Sequence, residues 1–244
     1  MSPLAAVSIS SNYSPQSYLR SSSHPHYSIV FFDLETTGLT PDCEIMQIAA
    51  KCGGKMYRTY ILPTNPIPQI VKNITGITVI NNKMFARGRP VTGVTRVVAV
   101  RTFIKFLRSF GEKVILVAQN GFKFDGPLLC GILNREKMMA QFQDIVIGFS
   151  DPLPLFRHHL PGRRECGKTY GLVSLANDYL GGSSGAHDAM NDVVMLEKLI
   201  LNEIIPTNVD HLVLSHKTVG CMADVFNRNL MHYHDSPKTW DAWK

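Results

Sequence analysis

Asp33 and Glu35 stand two residues apart in Asp33-Leu34-Glu35-Thr36-Thr37-Gly38, directly after an apolar run that begins at Tyr27. In a strand, residues i and i+2 project to the same face, so these two carboxylates point the same way. Ionised carboxylates held side by side repel and raise each other's pKa unless a cation lies between them. A hard divalent ion that takes oxygen ligands, such as Mg²⁺, is the chemistry such a pair serves. The bland alternative is two solvated acids at a strand end, before a Thr-Thr-Gly turn.

A second group is Asn120-Gly121-Phe122-Lys123-Phe124-Asp125, ahead of Gly126-Pro127 and an apolar stretch. By itself Asp125 reads as a helix N-cap; beside the first pair it reads as another ligand-bearing acid. A third group is His187 with Asp192, a spacing that means little alone. Position says more: on a helix starting near Asp188, Asp192 shares a face with Ala189, Leu196 and Leu199. An ionised carboxylate on a core-facing stripe is costly unless it is paired or binds metal. His187, just ahead of that helix, would sit beside it as a general base.

The elements that must position these groups are legible as alternating patterns. Tyr27–Phe32 has the near-continuous apolar run of a strand covered on both faces. Glu44–Ala50 and Lys55–Leu62 follow as strands, with Cys52-Gly53-Gly54 as the turn between them. Residues 63–95, punctuated by Pro63, Pro66, Pro68 and Pro90, read as irregular with one short helix around Gln69–Ile74. Then come a helix over Val97–Phe110, closed by Gly111, a strand at Val114–Ala118 and a helix over Leu128–Met139. A strand at Asp144–Phe149 and helices over Leu172–Leu180 and Asp188–Leu201 complete the pattern. Strands alternating with helices imply an α/β fold, a central mixed β-sheet flanked by helices on both faces.

Residues 1–26 hold nine serines and three prolines with no acid, and are expected to be a disordered tail. Residues 27–205 then form the domain and 206–244 a C-terminal extension, helical and packed on it through Val225, Phe226 and Leu230, with Trp240 and Trp243 unassigned. No apolar run is long enough to span a membrane, so no membrane partner is expected. The net charge of +6 and pI near 9.1 favour a polyanionic partner. Five cysteines, an odd number without a C-x-x-C pair, speak against a disulfide framework or structural zinc and for an intracellular setting, nucleus or cytoplasm.

In order and separation, the three groups resemble the motifs of the DEDDh family of 3′→5′ exonucleases, which have an RNase H-like fold. The resemblance covers roughly residues 27–203. Tyr170-Gly171-Leu172-Val173-Ser174-Leu175, followed by His187 through Asp192, is similar to the TREX-type enzymes. The overall sequence also resembles the exonuclease-like region of PML and free-standing PML-like exonucleases. The resemblance implies that Asp33, Glu35, Asp125 and Asp192 bind two Mg²⁺ ions, with Mn²⁺ as a substitute, and that His187 is the general base. It further implies that Leu39 packs against the terminal base, that Asn120 positions substrate, and that Thr36, Thr37, Gly38 and Lys123 line the substrate site. Gln119 departs from the histidine common at its position. Single-stranded or 3′-ended DNA is the expected substrate, with RNA as an alternative and a homodimer as an implied assembly. Arg163, Arg164 and Lys168 are candidate phosphate contacts, as are Arg87, Arg89, Arg96 and Arg101; each is otherwise a solvated surface charge. A silent binding module of the same fold is the rival from another class.

Overall fold

The computed structural model describes residues 27–204 and 210–235. The expected tail and the two tryptophans lie outside these residues. Among the described residues the main sheet has seven strands, in the order β10-β9-β8-β1-β2-β3-β7. These are β1 (Tyr27–Thr36), β2 (Ile45–Cys52), β3 (Lys55–Ile61), β7 (Gly93–Val94), β8 (Lys113–Val117), β9 (Val146–Ser150) and β10 (Lys217–Thr218). Strand β1 runs antiparallel to β2 and parallel to β8, so the sheet is mixed as expected. Its Val30, Phe31 and Phe32 are completely buried, which is why the run reads as continuously apolar rather than alternating.

The helices are α1 (Gln69–Thr75), α2 (Arg96–Arg108), α3 (Asp125–Arg135), α4 (Met139–Gln143), α5 (Leu153–His159), α6 (Leu172–Tyr179), α7 (Ala189–Lys198), α8 (Asp210–Leu214) and α9 (Val219–Asp235). The single helix expected over Leu128–Met139 is instead two, broken where Lys137 takes a left-handed φ of 57°. Helix α7 widens into a π-helical turn at Leu199–Ile204 rather than continuing regularly. Helix α9 packs on α3, with Met222 fully buried and the Phe226 ring seated over Gly131.

The stretch expected to be irregular differs most. After α1 it forms a three-stranded antiparallel sheet of β4 (Ile77–Ile80), β5 (Lys83–Ala86) and β6 (Arg89–Val91). Asn81 and Asn82 both take positive φ, 51° and 60°, as a two-residue hairpin requires; asparagine tolerates that conformation. Pro90 is harmless on the edge strand β6. Met46, Tyr60, Ile67, Ile77 and Met84 give this sheet its own small core against β2 and β3.

Strand lengths open the cleft. Pairing of β1 with β8 ends at Phe31 opposite Val117, whereas pairing with β2 continues through Asp33 opposite Ala49 and Glu35 opposite Gln47. Asp33 and Glu35 therefore run on past the end of one neighbour, and the segment after β8 must turn away there. A cleft beyond strand ends is where open α/β sheets bind ligands.

Candidate functional site

The chain-distant acids meet in that cleft. Carboxylate oxygens of Asp33, Glu35 and Asp192 all lie within 4.8 Å of one another. Asp125 and His187 line the same cavity of about 270 Å³, with Leu34, Leu39, Gln119, Asn120 and Phe124. The sequence thus brings residues from β1, the segment before α3, and the start of α7 onto one small surface.

Each acid is held by an identifiable contact. Asp125 is not the N-cap that its position suggested: it lies in the first turn of α3, and its Oδ1 accepts the backbone N–H of Leu34 at 3.2 Å. That N–H lies between Asp33 and Glu35, on the side where β8 has ended, so the bond pins the first two motifs together. Asp192 Oδ2 accepts the backbone N–H of His187 at 3.0 Å. His187 takes a left-handed φ of 63° and keeps its side chain exposed. A non-glycine residue in that conformation is strained, a state that tends to persist where function needs it.

Charge is the dominant physical fact of the site. Burial, followed by Asp192, Asp188 and Asp125, pushes Glu35 up to about 8. Burial also lifts Asp125 to about 7 against its own backbone donors, and Asp192 to about 7 with Asp188 adding to the effect. Asp33 is raised well above the usual carboxylate range by burial and then by Asp125, Asp192 and Glu35. Among the described residues, the buried Oδ1 of Asp192 has no hydrogen-bond partner. A converging set of hard oxygen donors, repelling one another and including an oxygen with nothing to bind, fits a divalent cation.

The other expected site residues fall in two places. Leu39 is 66% exposed at the lip of the cavity. The Thr36 hydroxyl donates to the carbonyl of Gly38 at 2.6 Å, and Thr37 Oγ1 accepts the N–H of Glu44 at 2.9 Å, so these hydroxyls hold the turn that presents Leu39. Asn120, with a φ of 57°, lines both this cavity and a neighbouring groove of about 890 Å³. Lys123 lies on the neighbouring groove instead of in the acidic cavity, together with Arg157, Arg164, Lys168 and Lys217. Arg163 is corrected: it is buried and occupied internally, donating to the Thr169 carbonyl and Ser174 hydroxyl and pairing with Asp178 at 2.7 Å.

Two acids escaped the sequence reading. Asp188 caps α7 through the N–H groups of Met190 and Asn191, pairs with Arg58 at 3.1 Å, and raises its acidic neighbours. The capping rule at the start of α7 was the available signal. Asp151 is buried and accepts the N–H of Asn120 at 3.1 Å and of Leu153 at 2.9 Å. An Asp-Pro pair opening a helix was its only mark in the sequence.

The site thus sits on a mixed sheet whose central strand carries two of the acids past the end of its neighbour β8, an arrangement suited to metal-assisted phosphodiester chemistry. Comparisons agree: the family described as Exuperantia RNAse H-like domain matches residues 27–177. The chain is 30% identical to three prime repair exonuclease 2 of Mus musculus over 203 residues, 72% of this chain and 83% of that protein. Among solved structures, exonuclease I matches with a TM-score of 0.60 and 22% identity, over 76% of this chain and 43% of that one. E. coli exonuclease I in complex with a dT13 oligonucleotide matches with a TM-score of 0.58 and 21% identity, again over 76% and 43%. The chain spans less than half the length of exonuclease I, and that likeness concerns the fold. On these matches the chain belongs to the RNase H-like DEDDh family of 3′→5′ exonucleases, enzymes that hydrolyse phosphodiester bonds.

Proposed function

We propose that this protein removes nucleotides from the 3′ end of DNA, with two Mg²⁺ ions as the physiological metal and Mn²⁺ as a working substitute. Convergence of Asp33, Glu35 and Asp192 within 4.8 Å, with one oxygen left unpartnered, carries this reading. Asp33, Glu35 and Asp192 would hold metal directly, and Asp125 would support it from the α3 side. Bound there, the ions supply Lewis-acid stabilisation of the attacking and leaving oxygens.

The remaining work falls to this chain's own side chains. His187, exposed at the cavity rim, accepts the proton of the attacking water through its imidazole. Its backbone N–H meanwhile orients Asp192. Leu39 projects where an unstacked terminal base can rest, and Asn120, fixed by Asp151, stands at the junction between cavity and groove. The five cations of the larger groove supply a sequence-independent track for the strand leading away from the scissile bond. The dT13 oligonucleotide bound to the structurally similar E. coli exonuclease I supports DNA rather than RNA as the substrate of this reading.

Purified protein incubated with 3′- and 5′-labelled DNA and RNA, in Mg²⁺ or EDTA, tests the proposal. Stepwise shortening from the 3′ end of DNA, abolished by EDTA and by Asp33→Ala, Asp192→Ala or His187→Ala, is the expected result. Full activity in Asp33→Ala protein, or shortening from the 5′ end, would overturn it.

A further inference from the structure

The small sheet β4–β6 contributes no acid to the cluster, yet one of its turns reaches the loop that carries His187. We propose that Arg87, in the β5–β6 turn, is a positioning residue that holds this loop in its working conformation. The proposal rests on the reading of His187 as general base given above.

The geometry is specific. Nη2 of Arg87 donates to two successive carbonyls, Gly185 at 3.1 Å and Ala186 at 2.6 Å, immediately before His187. Asn191, on α7, donates to the Gly185 carbonyl as well, at 3.0 Å. Gly185 itself has a φ of 85°, and a Cβ there would lie 2.5 Å from Asn191 Nδ2. The loop thus arrives at His187 clamped from both sides, and His187 then takes the strained φ of 63° that turns its N–H onto Asp192. Left-handed backbone at a non-glycine residue persists only when the surroundings over-determine it. A single guanidinium nitrogen, held in the plane of its group and donating to two adjacent carbonyls, is that kind of restraint.

Arg87 is in turn fixed from beneath. It has a φ of 50°, and its backbone N–H donates to the carbonyl of Gly76 at 2.8 Å. Its side-chain stem lies directly over Gly76, where a Cβ would come within 2.8 Å of Arg87 Cγ. Gly76, with a φ of 70°, closes α1 through its N–H to the Lys72 carbonyl. Helix α1 and the small sheet therefore form a bracket, seated in its own core, whose tip is a guanidinium on the loop of the general base. Arg58 of β3 adds a second brace by pairing with Asp188, the cap of α7.

Three forms of the full chain, wild type, Arg87→Lys and Arg87→Ala, separate this role from others. With a short 3′-labelled oligonucleotide and Mg²⁺, Arg87→Ala should lower kcat by about 10- to 100-fold while KM stays within about twofold, as expected for a misplaced catalytic group. Guanidinium ion added at millimolar concentration should restore part of the lost kcat in Arg87→Ala but leave wild type unchanged. Arg87→Lys, which keeps the charge but not the planar guanidinium that fixes the direction of its N–H groups, should fall between. Without metal or substrate, backbone amides of residues 184–187 should exchange with deuterium faster in Arg87→Ala. A raised KM with kcat preserved would assign Arg87 to substrate contact, and unchanged exchange in that loop would remove the clamp; either result overturns the proposal. Because the exchange measurement needs no turnover, a failure of the nuclease reading would show as an inactive wild type with the loop effect intact.

Discussion

Replacing Asp192 with Asn sets the stability of this fold against its function. Asp192 is 8% exposed, and burial holds its pKa near 7 against an ordinary 3.8. An acid whose folded pKa is raised keeps its proton better folded than unfolded. Its favourable contribution is complete below the unfolded pKa and is lost as pH climbs to the folded value. At pH 8 the metal-free fold therefore carries an ionised, repelled carboxylate costing about 4 kcal/mol, from roughly three pKa units at ~1.4 kcal/mol each. At pH 5 less than half of that cost has developed.

Asparagine keeps an oxygen for the His187 N–H and places an NH₂ group where Oδ1 now lacks a partner. Taking half the cost as relieved already by water entering the open cleft leaves about 2 kcal/mol, or a rise in Tm of about 4–8 °C for a chain of this size. Thermal denaturation in EDTA at pH 8 should show Asp192→Asn melting above wild type, with the gap shrinking at pH 5. Millimolar Mg²⁺ should raise the Tm of wild type and leave the variant almost unmoved, and the variant should be inactive. A lower Tm for the variant in EDTA at pH 8, or an undiminished Mg²⁺ effect, would refute the electrostatic account of the cluster.

Leu39→Ala should leave Tm within about 1 °C, since an exposed leucine away from special features adds little to stability, and should raise KM for a 3′-ended strand several-fold in steady-state assays. Arg164→Ala and Lys217→Ala, in the basic groove, should each flatten the salt dependence of oligonucleotide binding by about 0.7 in log–log slope, measured by anisotropy from 50 to 300 mM salt. Gly126→Ala should destabilise by about 1–3 kcal/mol in urea melts, because its Cβ would sit 2.8 Å from the Gly121 carbonyl beneath the turn that carries Asp125. Its activity should drop more than its residual folded fraction explains.

Much of the site was legible because its chemistry violates ordinary patterning. Asp33 and Glu35 crowd one face of a strand, and Asp192 interrupts an apolar helical stripe between Ala189 and Leu196; both are local conflicts that a bound cation would relieve. The central strand was equally plain, since its burial on both faces writes itself as a continuous run of Ile29, Val30, Phe31 and Phe32. The small sheet after α1 was lost behind its prolines, although Asn81-Asn82 carried the hairpin signal.

Other features depend on groups far apart in the chain, and no local spacing encodes them. Asp125 looked like a helix cap because its own neighbourhood suits one; the Leu34 N–H that it serves instead lies 91 positions away. Arg163 and Arg164 are adjacent and alike in type, yet one is buried on Asp178 and the other lines the open groove. The raised pKa values, the unpartnered Asp192 oxygen and the Arg87 clamp on the His187 loop belong to the same class. Side-chain type and periodicity determine which residues must be covered or relieved, and the sequence carries both in full. Which partner relieves each charge is a matter of distance and dielectric, and those exist only once the chain has closed on itself.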